Sequence, residues 1–178
     1  MATWNVLSLA LHGYREAIAR ELQQLDIDIA CLTEARLADN GKNIVEVLIF
    51  LKSGGAQHHH GVRLVLLPRT ARSLKIWEPI SDRLLTARLV HRHGHMTILV
   101  PYAPTEDASD ADKDNFYGLL EDTVHSVPPH NQLIIATTSM RCPALTARAL
   151  SRSWALSAVA FVMTTRPGSS LFAPSVSP

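Results

Sequence analysis

Among the residues able to do chemistry, Glu34 has the most telling position. It closes the stretch DIACLTEAR, Asp28 to Arg36, in which Ile29, Ala30, Cys31 and Leu32 form an unbroken apolar run. Such a run predicts a strand buried on both faces, near the centre of an α/β sheet. The carboxylate then stands just beyond the carboxyl end of a strand, where ligands and metals collect in folds of this kind. A lone acid there is by default a solvated loop carboxylate, and it becomes a metal ligand only in company. His58, His59 and His60, and the alternating His91, His93 and His95, lack a carboxylate or cysteine that would complete a zinc set. These histidines are expected in solvated loops, with His93-Gly94 a hairpin turn. Cys31 and Cys142 fit no metal or redox spacing. Ser151 and Ser153 lack the flanking glycines of a nucleophile elbow.

The elements that must position Glu34 follow from periodicity. Ala2 to Leu9 predicts a short strand with Trp4, Val6 and Ser8 on one face. Tyr14 to Leu25 predicts a helix, its inner residues Tyr14, Ala17, Ile18, Leu22 and Leu25 recurring at helical spacing. With the strand at Asp26 to Thr33 these make a βαβ-like opening, parallel if both strands share a sheet. From Val45 onward short apolar runs alternate with turn signals: Val47–Leu51, Gly61–Leu67, Ser73–Trp77, Leu84–Val90 and Met96–Val100. That pattern predicts an antiparallel meander. Asp110 to Val124 predicts a second helix, with Phe116, Leu119, Leu120, Thr123 and Val124 inward, stopped by Pro128-Pro129. Gln132 to Ala136 predicts another buried strand. Beyond it, Pro143 to Trp154 suggests a helix, Ser157 to Met163 a strand or that helix's continuation, and Arg166 to Pro178 a frayed tail rich in proline and serine.

The bulk numbers suit one domain. The chain has 178 residues, of which 47% are hydrophobic and 19% charged, with a formal net charge of +1. This is a globular composition, and it advertises no global field for nucleic acid or acidic membranes. The N-terminus lacks the basic region and cleavage site of a signal peptide, and no apolar run approaches the roughly 20 residues that span a bilayer. An intracellular protein, nuclear or cytoplasmic, is the expectation.

Several stretches taken together resemble the endonuclease/exonuclease/phosphatase superfamily. They are TWNVLSL at Thr3 to Leu9, LDIDIACLTEAR at Leu25 to Arg36, SGG with HHHGVRLVLL between Ser53 and Leu67, PISDRLLTARL at Pro79 to Leu89, and ILVPYAPTEDASD at Ile98 to Asp110. Within the superfamily they are similar to the endonuclease domain of RTE-type non-LTR retrotransposons and to craniofacial development protein 2-like host proteins. The resemblance implies an α/β fold: a two-sheet α/β sandwich with mostly antiparallel strands and helices outside, here incomplete. It implies magnesium-dependent hydrolysis of phosphate esters, in which Mg²⁺ takes one or two carboxylates plus water and substrate phosphate. By the same resemblance Glu34 is the metal carboxylate and Asn5 a polar neighbour at the metal. Tyr102 contacts the scissile phosphate, Arg83 a flanking phosphate, and Arg36 supports Glu34 from the same strand face by a charged hydrogen bond.

The resemblance stops near Ala136. The family's next motif is a strand leading into Gly-Asp-Phe-Asn, but here Thr138 falls where the aspartate belongs and Met140 where the asparagine belongs. No later Asp-His pair exists, since the last aspartate is Asp122 and the last histidine His130. Leu7 also stands where some relatives carry an acidic ligand, and Pro101 interrupts an expected strand. Three readings follow. The favoured one is a domain of this type, truncated or altered after Ala136, that has lost hydrolysis and binds Mg²⁺ weakly or not at all. A second is an active magnesium-dependent endonuclease whose missing acids come from Glu106, Asp107 or Asp110. A third is a non-catalytic module binding DNA through the remaining phosphate contacts, or a protein partner through residues 144–163.

Overall fold

The computed structural model describes residues 1–6, 9, 13–36, 40–54 and 60–137, together with the backbone of 159–162. The helix expected over Pro143 to Trp154 and the Pro/Ser tail lie outside the described residues. Two five-stranded sheets form the molecule. The first contains β1 (Ala2–Asn5), β2 (Ile29–Thr33), β3 (Gly41–Val45), β4 (Leu48–Ser53) and β5 (Val62–Leu66), in the order β1-β2-β5-β4-β3. The second contains β6 (Leu74–Ser81), β7 (Leu84–His91), β8 (Gly94–Pro101), β9 (Gln132–Ala136) and β10 (Val159–Val162), in the order β10-β9-β8-β7-β6. Helices α1 (Tyr14–Gln24) and α3 (Asp110–His125) cover the outer faces, and α2 (Pro68–Ala71) is a single turn after β5. This is the expected α/β sandwich.

Strand pairing is mixed but mostly antiparallel. β1 runs parallel to β2, as the βαβ-like opening requires, while β2–β5, β5–β4 and β4–β3 are antiparallel. The predicted meander is divided between the sheets: β4–β5 lie in the first and β6–β7–β8 in the second, where β9 and then β10 add in parallel. The segment at Ser157 to Met163 therefore contributes a strand, not a helical continuation.

Alternation explains how one strand serves two cores. In β5, Val62, Leu64 and Leu66 face the second sheet, joining Cys31, Leu51, Leu85, Ala87, Leu89, Ile98 and Val100 between the layers. Val65 faces the other way, onto α1 through Ile18, Ala19 and Leu22. α3 packs Phe116 and Leu120 on Leu84, Leu99, Leu133 and Ile135. Cys31 is the inert buried residue its setting suggested, its thiol pushed up in pKa by burial.

Three sequence expectations need correction. Leu25 is exposed: α1 ends at Gln24, so Leu25 has left the helical stripe, and Ala19 takes the inner place instead. Pro79 does not end a strand; β6 runs through it to Ser81 with a register shift between them. Its missing N–H is tolerated because β6 is the edge of its sheet among the described residues. Pro101 ends β8, paired with Leu84, and interrupts nothing.

The layer between the sheets carries the testable energetics. Leu64 is fully buried there, so Leu64→Ala should cost about 3 kcal/mol through lost transfer energy and a residual cavity. Urea denaturation checks this; a loss below about 1 kcal/mol would contradict the packing described.

Candidate phosphate-binding site

The topology gathers chemistry at one end of the sandwich. The parallel strands β1 and β2 end there together, as do β8 and β9. β5 begins there, since Arg63 pairs with Leu32, and the β6–β7 turn arrives opposite Pro101. The two sheets are tied at this end by the Thr3 hydroxyl donating to the Thr137 carbonyl at 3.5 Å and by the Ser53 hydroxyl donating to the Ser81 carbonyl.

Glu34 is at the centre. It follows β2 directly, with φ of 58°, and Arg36 has φ of 50°. Left-handed backbone is unfavourable for residues bearing a Cβ. Here neighbouring strands hold it: Ala35 N donates to Gly61 O at 3.1 Å, Arg36 N to His60 O at 3.0 Å, and Leu9 N to Ala35 O at 2.9 Å. Ala35 is buried between them. The turn sends the Glu34 carboxylate out of the sheet, with 17% of its side chain exposed.

Four of the five residues expected from the sequence converge as direct neighbours. Asn5 Nδ2 donates to Glu34 Oε1 at 2.6 Å, and Tyr102 Oη donates to the same oxygen at 3.2 Å. The Arg83 guanidinium lies over the Tyr102 ring, 5.2 Å from its centroid, and Nη1 reaches the Tyr102 and Ala103 carbonyls at 3.4 Å each. Burial raises the Tyr102 pKa first, and the charge and hydrogen bond of Glu34 raise it further, against Arg83 and Arg36. Arg36 is placed differently from expectation. Its Nη2 is 4.0 Å from Glu34 Oε2, an ion-pair distance and not a hydrogen bond, and its side chain is 53% exposed. The expected shared strand face does not exist, because β2 stops at Thr33.

Two residues of the cluster were not anticipated. His60 Nδ1 is 2.9 Å from Asp82 Oδ2, and its Nε2 is 2.5 Å from Arg83 Nη2. The His60 ring also lies 6.1 Å from that of Tyr102. His60 is thus no solvated loop histidine, and Asp82 is more than the acid half of a turn pair. The sequence signals were slight: a histidine before Gly61, whose φ of 122° needs glycine, and an acid next to Arg83. His58 and His59 lie outside the described residues. Glu106, Asp107 and Asp110 are exposed on the approach to α3, where Ser109 caps the helix by accepting from Asp112 N at 3.1 Å.

The donor set fits a divalent ion only in part. Glu34 offers hard carboxylate oxygens, but Asn5 turns its amide nitrogen toward them, and Oε1 already receives two hydrogen bonds. Among the described residues no group of three or more His, Cys, Asp and Glu could hold a metal. Magnesium keeps several waters and accepts one carboxylate, so the residues present suit a hydrated ion at Glu34.

With this arrangement established, the class follows. The two packed sheets with helices outside are the α/β sandwich fold of the endonuclease/exonuclease/phosphatase type, shared with the solved structures named below. In particular, the chain is similar to craniofacial development protein 2: the Bos taurus and Tragulus javanicus proteins are each 24% identical over 136 residues, 76% of this chain. The chain spans 23% and 24% of their respective lengths, about a quarter. Among solved structures, humanized D. rerio TDP2 matches with a TM-score of 0.55 at 12% identity, covering 82% of this chain and 68% of that one. D. rerio TDP2 complexed with single-strand DNA product matches at 0.54 and 14% identity, covering 83% and 62%. The endonuclease domain of TRAS1, a telomere-specific non-LTR retrotransposon, matches at 0.53 and 12%, covering 74% and 55%. No family model matches the chain.

The contact between Tyr102 and Glu34 predicts a titration. Glu34→Gln removes the negative charge but not the burial, so the Tyr102 phenol should ionise at lower pH than in the parent while remaining above an ordinary tyrosine. Ultraviolet difference titration against Tyr102→Phe isolates this tyrosine from Tyr14 and Tyr117. An unchanged midpoint would show that Glu34 and Tyr102 are not neighbours.

Proposed function

We propose that this domain binds the phosphates of nucleic acid through Arg83, Tyr102 and the Glu34 site, and that phosphodiester hydrolysis has been lost. The observation that carries the reading is where β9 delivers the chain. Thr137 O accepts from Thr3, two residues before Asn5, so β9 brings Thr137 to this same end of the sandwich. In sequence Thr137 is followed by Thr138, Ser139 and Met140, none of which is the carboxylate that hydrolysis needs. Threonine does not ionise near neutral pH, and methionine is at best a weak acceptor.

The size of the deficit supports the same reading. Removing a positioned general base costs about 10²- to 10⁴-fold in rate. Losing one preorganised contact to the developing charge costs about 10²- to 10³-fold more. A magnesium ion bound at Glu34 with Asn5 beside it would neutralise negative charge on phosphate oxygens. Glu34 would be its carboxylate, with water and phosphate filling the other positions. The chain's own residues orient the phosphate: Arg83 supplies a fork of donors above the Tyr102 ring, and Arg36 adds a second, exposed cation. Nucleic acid is the favoured ligand class because a structural neighbour, TDP2, holds a single-strand DNA product.

With so few cations at the site, binding should be weak and salt-sensitive, with dissociation constants on the order of 10⁻⁴ to 10⁻⁶ M. Arg83→Ala should weaken binding of a labelled single-stranded oligonucleotide about tenfold and lower the salt slope by about one. Arg92, on the β7–β8 turn at the opposite end, is the control. Equal losses from Arg92→Ala and Arg83→Ala, measured by fluorescence anisotropy, would contradict this placement of the ligand.

A further inference from the structure

His60 has two ring nitrogens with different partners, and the chemistry of those partners fixes its protonation pattern. A guanidinium can only donate, and it stays charged at every accessible pH. Arg83 Nη2 at 2.5 Å therefore requires a lone pair on His60 Nε2. The proton of the neutral ring then sits on Nδ1, pointing at Asp82 Oδ2 2.9 Å away. The other neutral tautomer would set two donors against each other at Nε2, and a protonated ring would in addition set two positive charges there. We infer that His60 is a positioning residue of the phosphate site: Asp82 locks it in the Nδ1–H tautomer, and its Nε2 lone pair holds Arg83 over Tyr102.

The inference rests on the phosphate-binding reading for its purpose, but not for its geometry. The remaining contacts of Arg83 are too weak to fix it. Its bonds to the Tyr102 and Ala103 carbonyls are long, at 3.4 Å each, and a cation over an aromatic face is free to slide. The imidazole contact is short and directional by comparison. His60 itself is anchored through its backbone, since its carbonyl accepts from Arg36 N at 3.0 Å in the turn that presents Glu34. One residue thus links the carboxylate side of the site to its guanidinium side. Asp82 and His60 are each about one-third exposed, with side chains 34% and 30% accessible, so the chain Asp82–His60–Arg83 lies at the mouth of the site, where a phosphate would arrive. The charged side chains in contact with the imidazole include Asp82 and Arg83.

Two measurements test this on the whole chain. Long-range ¹H–¹⁵N spectra of histidine-labelled protein, recorded where imidazoles are neutral, report the tautomer without any ligand. His60 is assigned by the signal lost in His60→Gln. The Nδ1–H pattern is expected, and Asp82→Ala, which removes the acceptor at Nδ1, should raise the Nε2–H fraction. An Nε2–H ring in the parent overturns the inference. Anisotropy with a labelled oligodeoxythymidylate gives the second readout. Asp82→Ala should weaken binding by about the factor that Arg83→Ala does, and combining the two should add little. Full additivity overturns the inference. An Nδ1–H ring in a protein that binds no oligonucleotide would uphold the geometry and refute the phosphate-binding reading.

Discussion

The site depends on one short piece of backbone, the turn Glu34–Ala35–Arg36. A buried strand between two others cannot project a carboxylate into a site while it remains a strand, because its alternate side chains are committed to the two packed faces. The chain escapes by taking two left-handed residues around a buried alanine. Each such residue costs about 1–2 kcal/mol. Hydrogen bonds from Ala35 and Arg36 to the residues before β5, and from Leu9 to Ala35, offset that cost, at about 1 kcal/mol net apiece. Because Arg36 N is bonded to His60 O, the turn that presents the acid also places the imidazole that meets Arg83. Gly61 completes the arrangement: a Cβ there would meet Arg36 N, Arg63 Nη1 and Ser53 O, all at 3.6 Å, on a backbone that already favours glycine.

The acids of the site are paired within the chain. Glu34 faces Arg36, Asn5 and Tyr102, and Asp82 faces His60, which in turn meets Arg83. Each acid already has positive or hydrogen-bonding company from the chain itself. A phosphate entering between them gains the arginines without having to displace a dense cluster of carboxylates. The structural cores on the two outer faces and between the sheets are complete enough among the described residues to hold this end rigid, since both sheets meet it at strand termini.

Much of this was legible in the sequence. An unbroken apolar run marks a strand buried on both faces, so Ile29–Thr33 and Gln132–Ala136 were readable, as were the helices with three or more inner residues at helical spacing. Asn5, Glu34, Arg83 and Tyr102 came from motifs whose residues keep fixed places on such strands. What the sequence concealed had physical reasons. β3 is a nearly exposed edge strand, Gly41–Val45, with no buried face to impose alternation. The place of Arg36 depended on φ angles that no side-chain pattern betrays. His60 and Asp82 are 22 residues apart on different sheets, and only the stacking of the sheets makes them neighbours.

The central claim is that a carboxylate at position 34, with threonine and methionine at 138 and 140, supports phosphate contact without hydrolysis. Incubating the purified chain with supercoiled plasmid and Mg²⁺ tests it most directly, with Glu34→Ala prepared in parallel to expose contaminating nuclease. The account predicts that parent and variant leave the plasmid equally intact. Nicking by the parent that disappears in Glu34→Ala would contradict it.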